Sequence, residues 1–129
     1  MSSDNIYIGL MSGTSLDAVD AVAVSFEQDN VNLIGSHSQA MPDHLKMAIL
    51  KLCNSAQDNI KTLAETDHKL GKLYASTSLQ LMEEFDLRSS QIGAIGCHGQ
   101  TVRHVPPGQG KVPFSLQIGD ANLRAIDTD

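Results

Sequence analysis

The sequence is short of aromatic residues, cysteine and positive charge, and it has no long apolar run. Aromatics make up 4% of the 129 residues. Only Cys53 and Cys97 are present, with no CxxC pair, which excludes a disulfide framework and suits a reducing compartment. Both read as small buried hydrophobes. Nine Lys and Arg against fifteen Asp and Glu leave a formal charge of −6. That balance argues against a nucleic-acid platform, because phosphate backbones are held by clustered cations. A phosphate bound here would need backbone N–H groups or a metal. Nowhere do 18 apolar residues run together, and the start MSSDNIYIGL has no basic region leading into an apolar stretch. The expectation is a cytoplasmic protein with no membrane partner. What is present is ordinary: 41% hydrophobic and 19% charged residues, in a length that suits one globular domain with a single core.

Residues 6–11 (IYIGLM) are a short apolar run that ends at Ser12-Gly13, as a strand entering a turn does. In the following DAVDAVAVSFE, Asp20, Val22, Val24 and Phe26 alternate with Val19, Ala21, Ala23 and Ser25. Apolar residues on both faces predict a mostly covered strand. Gln28-Asp29-Asn30 punctuates the chain, and residues 31–36 (VNLIGS) return as a third strand, completing an antiparallel meander. After Pro42, the spacing of Leu45, Ala48, Ile49, Leu52 and Cys53 predicts a one-sided helix. Thr62-x-x-Glu65 has the form of a capping box, near the start of a second helix reaching about residue 85. Leu63, Leu70, Leu73, Tyr74, Thr77 and Leu81 mark its inner face, with Asp67, Lys69, Lys72, Glu83 and Glu84 solvated. Residues 92–97 (IGAIGC) read as a buried strand whose glycines permit close backbone approach. It runs into HGQT; Pro106-Pro107-Gly108 marks a loop, and residues 114–118 (FSLQI) alternate like a strand. The order β-β-β-α-α-β-β is an α/β arrangement. The last nine residues, ANLRAIDTD, open like a helix and stop without a cap, as in a chain cut rather than finished.

Two stretches carry chemistry. Residues 9–22, GLMSGTSLDAVDAV, lack the Lys and the following helix of the common phosphate loop. A strand-turn-strand anion site is still physically sensible, because successive turn N–H groups form a concave nest, to which Thr14 and Ser15 add hydroxyls. Asp17 and Asp20 would repel a phosphate unless one of them holds Mg²⁺ directly or through water. A plain hairpin turn has the same composition. The second stretch, CHGQT at 97–101, lies at a strand end, where open α/β sheets carry ligand sites. His98, Gln100 and Thr101 suit a hydroxyl-rich ligand, although a lone His in such a place is also a common structural residue. Gly119-Asp120 is a second strand end of this type. A serine hydrolase built from Ser12 or Ser15 with His98 and Asp120 is disfavoured, since the G-x-S-x-G elbow is absent. His98 and His104 lack a third metal ligand.

Taken together, MSGTSLDAVDAV, AIGCHGQTVRH and LQIGD resemble the anhydro-N-acetylmuramic acid kinases, in the same order and at similar separations. The resemblance implies an RNase H-like domain of the sugar kinase, Hsp70 and actin superfamily, with a mixed sheet that opens in a three-stranded meander. It implies that ATP phosphates meet the turn at Gly13, Thr14, Ser15, Leu16, Asp17, Ala18, Val19 and Asp20, with Asp17 toward Mg²⁺. It places His98, Gly99, Gln100, Thr101 and Asp120 in the wall facing an anhydro amino sugar. The family usually has Gly where this chain has Ala18, so a need there for φ > 0 or for very close approach to a phosphate would put strain on Ala. The implied reaction converts 1,6-anhydro-N-acetylmuramic acid, ATP and water to N-acetylmuramic acid 6-phosphate and ADP, in cell-wall recycling. The family's catalytic Asp lies in a DFRRxD-type segment beyond LQIGD. Residues 1–129 are therefore expected to be an N-terminal domain that holds half a cleft and does not turn over alone. The alternative is a non-catalytic domain that binds ligand or pairs with itself, since apolar surface left by a missing second domain favours a homodimer.

Overall fold

The computed structural model describes residues 6–13, 15–54 and 59–119. Thr14, Asp120 and the expected helix in ANLRAIDTD lie outside the described residues. The chain forms β1 (Ile6–Ser12), β2 (Ala18–Glu27), β3 (Asn30–Ala40), α1 (Asp43–Cys53) and α2 (Ile60–Glu84). A 3-10 turn at Ser89–Gln91 leads to β4 (Ile92–Cys97), β5 (Gln100–Val105) and β6 (Phe114–Ile118). The strand β5 is an addition to the expected order. Gly99, at φ +76°, reverses the chain after β4, and Gln100 and Val102 alternate inward from there.

Four strands make a mixed sheet in the order β3-β2-β1-β4. β1 runs antiparallel to β2, from Ile6 opposite Ser25 to Ser12 opposite Val19, and β2 antiparallel to β3. β4 joins the other edge of β1 in parallel, with Leu10 beside Cys97, a pairing that needs the long crossover provided by α1 and α2. β5 and β6 form a separate antiparallel pair. Ile8, Leu10, Val19, Ala21 and Ala23 face the helices and are buried with Leu45, Ile49, Leu70, Tyr74 and Leu81. A bulge lets Gly35 pair with Ala23 while Leu33 pairs with Val24, so Gly35 faces the helices and Leu33 faces away. A Cβ at Gly35 would collide with the ring of Phe85 at the end of α2.

Three burial expectations need correction. β2 is covered on one face only: Val22 and Phe26 are exposed together with Tyr7, Met11 and Leu33. The helix-free face of the sheet thus presents an accessible apolar patch, with Asp20, Ser36 and Ser38 beside it. β4 is half-buried to exposed rather than buried, because it ends the order of strands and has β1 as its ladder partner. Gly96 meets no atom that a Cβ would touch. Of the cysteines, Cys53 is exposed and Cys97 half-buried.

The long helix α2 starts before the Thr62–Glu65 box: Asn59 caps it, its Oδ1 accepting from the Thr62 N–H at 3.2 Å. At the other end Asp86 takes a left-handed φ of +53°, while the Leu87 and Asp86 N–H groups donate to the carbonyls of Met82 and Glu83. This closes the helix in the manner usually given to glycine. The buried hydroxyls of Thr77 and Ser78 are satisfied by the carbonyls of Leu73 and Tyr74, one turn back. Among the described residues, no helix is long and apolar enough to cross a membrane.

Candidate functional site

The inward row of β1, Ile8 and Leu10, ends in a hydroxyl, that of Ser12, which is buried. Beyond it the chain turns: the Leu16 N–H donates to the Gly13 carbonyl at 3.2 Å, and Leu16 has φ +57°. That conformation costs an ordinary residue about 1–2 kcal/mol, and burial of the Leu16 side chain in the core opposes the cost. Leu16 and Val19 are both core residues, so in the turn they offer backbone groups only. Gly13, Ser15 and Asp17 are exposed. Ala18 begins β2 opposite Ala40, outside the positive-φ region, so the strain expected there from a left-handed backbone does not arise; among the described residues of this turn Leu16 takes the left-handed position. Asp20 is exposed on the helix-free side, opposite Met11 and Ser38. The Asp17 carboxylate lies 3.2 Å from the Lys46 ammonium of α1, and its carbonyl accepts from the Met41 N–H at 2.9 Å.

The parallel pairing of β1 and β4 brings the second motif to the same end of the sheet. The His98 N–H extends the ladder to the Leu10 carbonyl at 3.3 Å, and the His98 side chain is exposed. Gly99 is required twice over: its φ is +76°, and a Cβ would sit 2.8 Å from the Ile118 carbonyl oxygen. Gln100 is buried, and its amide is engaged within the protein. Its Oε1 accepts from Ser12 Oγ at 2.7 Å and its Nε2 donates to the Thr101 carbonyl at 3.2 Å. Thr101 Oγ1 accepts from Gln117 Nε2 at 3.1 Å. At the end of β6, the Gly119 N–H donates to Asp67 Oδ1 at 2.6 Å, so Asp67 is an anchor and not one of the solvated residues of α2.

The structure thus joins the turn and the 98–101 segment, 88 residues apart in sequence, through a direct side-chain hydrogen bond. Ser12 donates to Gln100, not to His98, which leaves the Ser12 form of the hydrolase arrangement without its nucleophile-base pair. Among the described residues no three His, Cys, Asp or Glu side chains form a metal cluster. A cavity of about 210 Å³ lies elsewhere, between the end of α1, the start of α2 and the β5–β6 hairpin, lined by Leu52, Leu63, Val102, Phe114 and Leu116 among others. Beside it, Cys53 Sγ points at the Thr101 carbonyl, and partial burial raises the thiol pKa against the opposing pull of the Arg103 guanidinium. Sequence reasoning missed Tyr74 and Asp67 as polar partners. A tyrosine in the middle of an apolar helix face was the available signal, since a buried phenol needs a hydrogen-bond partner.

Comparison with known proteins adds a separate line of observation. The family model described as anhydro-N-acetylmuramic acid kinase matches residues 5–129. A curated protein of that name from Shewanella denitrificans is 49% identical over 128 residues, covering 99% of this chain and 34% of its own length. Its namesake from Vibrio vulnificus is 44% identical over 129 residues, covering 100% of this chain and 34% of the relative. That from Saccharophagus degradans is 47% identical over 125 residues, again 34% of the relative and 96% of this chain. The chain therefore spans about a third of the length of these relatives.

Proposed function

Since the chain belongs to the anhydro-N-acetylmuramic acid kinase family, we propose that residues 1–129 supply the nucleotide-phosphate turn and part of the sugar wall of such a kinase. In this reading the chain is an N-terminal, RNase H-like part of the enzyme. It acts on 1,6-anhydro-N-acetylmuramic acid with ATP in cytoplasmic cell-wall recycling. The observation that carries it is the Ser12–Gln100 hydrogen bond, which sets the turn beside the 98–101 strand end. A kinase needs its phosphate and acceptor sites adjacent, because catalysis of phosphoryl transfer is mostly positioning and charge stabilisation.

The residues present fit Mg-ATP. Gly13 and Ser15 are exposed at a turn whose left-handed residue is Leu16, the kind of backbone curvature that gathers N–H groups toward an anion. Asp17 offers one exposed carboxylate, which suits a cation that takes one or two protein oxygens and leaves the rest to phosphate and water. Lys46 beside Asp17 adds a positive charge near the same turn. When bound, Mg-ATP supplies the phosphoryl group that sugar O6 receives as water opens the anhydro ring. The exposed imidazole of His98 faces solvent where a sugar would lie, with Thr101 half-buried behind it. Gln100 serves this wall from behind, because its amide is already committed to Ser12 and Thr101. Thr14 and Asp120 complete the proposed turn and wall. The base that activates water is assigned to the DFRRxD-type segment of the family, so residues 1–129 alone are expected not to turn over.

Calorimetric titration of residues 1–129 with Mg-ATP tests the reading. Weak binding that disappears in Asp17→Ala supports it, and no binding at millimolar nucleotide overturns it. A second reading, self-association of a non-catalytic domain, draws support from the exposed Met11, Phe26 and Leu33 on the helix-free sheet face. Sedimentation of the same sample addresses that reading directly.

A further inference from the structure

On the inward side of α2 the buried Tyr74 and the half-buried Asp67, seven residues earlier, stand in line about 10 Å apart along the axis. Each meets a strand end. Tyr74 is fully buried, and its Oη lies 2.6 Å from Ser12 Oγ. Ser12 has a single hydroxyl hydrogen, which it gives to Gln100 Oε1, so the Tyr74 phenol is the donor to Ser12. The result is a directed chain, Tyr74 to Ser12 to Gln100, that spans α2, β1 and β5. Two turns earlier, Asp67 receives the Gly119 N–H at the end of β6.

We propose that Asp67 and Tyr74 are positioning residues. From one rigid helix, they hold three strand ends, those preceding the turn at 13–17, opening β5 and closing β6, in the spacing that the two ligands require. This rests on the reading of those ends as nucleotide and sugar sites. Neither side chain touches the ligands; each acts through a partner. A hydrophobic residue in place of Tyr74 would take from the buried Ser12 hydroxyl one of its two side-chain hydrogen bonds, and one in place of Asp67 would take from the Gly119 N–H its carboxylate acceptor. Packing alone does not choose a phenol and a carboxylate, whereas fixing strand ends does.

Amide hydrogen exchange on the 129-residue chain tests the positioning, with Leu16 and Gly119 as reporters. Tyr74→Phe keeps the ring and removes the donor; it should speed exchange at Leu16 and Gln100 about tenfold and leave Gly119 unchanged. Asp67→Leu should do the converse, speeding Gly119 about tenfold, while Asp67→Asn, which retains a carbonyl acceptor, should stay within about threefold of the parent. A uniform rise in exchange across α2 and the sheet, or no local change, overturns the proposal. Mg-ATP titration separates this from the functional reading. If the parent binds, Tyr74→Phe should weaken affinity about fivefold, and unchanged affinity overturns the proposal while leaving the nucleotide site standing. If the parent does not bind, the functional reading falls, and the exchange pattern alone decides whether α2 fixes the strand ends.

Discussion

The two faces of the four-stranded sheet both carry large apolar side chains, yet they meet different fates. On the helix side, Ile8 is 2% exposed and Val19, Ala21 and Ala23 are fully buried. On the other, Leu33 is 69% exposed and Met11 55%, with Tyr7 and Phe26 stacked edge to face at 5.4 Å between ring centroids. Hydrophobicity along a strand therefore does not say whether a face is covered. What decides is whether another element of the chain has a matching stripe, and α1 and α2 each have one apolar stripe, which both spend on the same side. The helix-covered face also ends in the Ser12 hydroxyl and so leads into the candidate site, whereas the open face leads to Asp20 and solvent.

The largest expected difference comes from truncating one residue on each face. Ile8→Ala should destabilise the fold by about 2–5 kcal/mol, while Leu33→Ala should stay within about 0.5 kcal/mol. Urea midpoints of the two variants measure this, and equal losses would erase the distinction between the faces. Gly35→Ala tests the same boundary at the bulge. Its Cβ points at the Phe85 ring, so a loss of about 1–3 kcal/mol is expected. Adding Phe85→Leu should recover part of that loss if the ring is the obstacle, which a double-mutant cycle reads directly.

Much of the covered face was legible in the sequence because period and function coincide there. The run at residues 18–27 specifies a strand, though not which of its faces is covered, and the spacing of Leu70, Leu73, Tyr74 and Leu81 specifies both a helix and its inner face. The bulge at Ile34 was not legible: VNLIGS has apolar residues on both sides of the slip, so nothing in the string marks which of Leu33 and Gly35 turns inward. β5 was hidden because QTVRHV begins with residues whose polar groups suggest a ligand loop, although Gln100 and Val102 alternate as a strand requires. In the site, both motifs could be recognised locally, but their adjacency depends on the parallel β1–β4 pairing across a crossover of two helices. Asp67 was misread as solvated for a related reason. Its partner is a backbone N–H 52 residues away, and a main-chain donor leaves no mark in the residue pattern.

A smaller effect tests the helix that covers the inner face. Asp86 holds the left-handed position that ends α2, at a cost near 1 kcal/mol for a residue with a Cβ. Asp86→Gly removes that cost but adds unfolded-state freedom of about 0.5 kcal/mol. The net gain should be a few tenths of a kcal/mol, visible as a slightly raised thermal midpoint. A lowered midpoint would mean that the Asp86 side chain contributes more than its backbone strain costs.

The smallest expected change in stability is at the open face itself. Leu33 lies on β3, an edge strand of the sheet, and pairs with Val24 on the helix-free side. Leu33→Lys places a charge where the side chain is already in water, so the urea midpoint should move by less than about 0.5 kcal/mol. Its effect on association should be separate and larger, because a lysine on an edge strand opposes pairing with another apolar sheet face. If residues 1–129 sediment as a dimer through this face, Leu33→Lys should shift them to monomer at the same concentration. A dimer that survives the substitution must pair elsewhere, and a parent chain that is already monomeric shows that an apolar sheet face of this kind persists in water without a second copy.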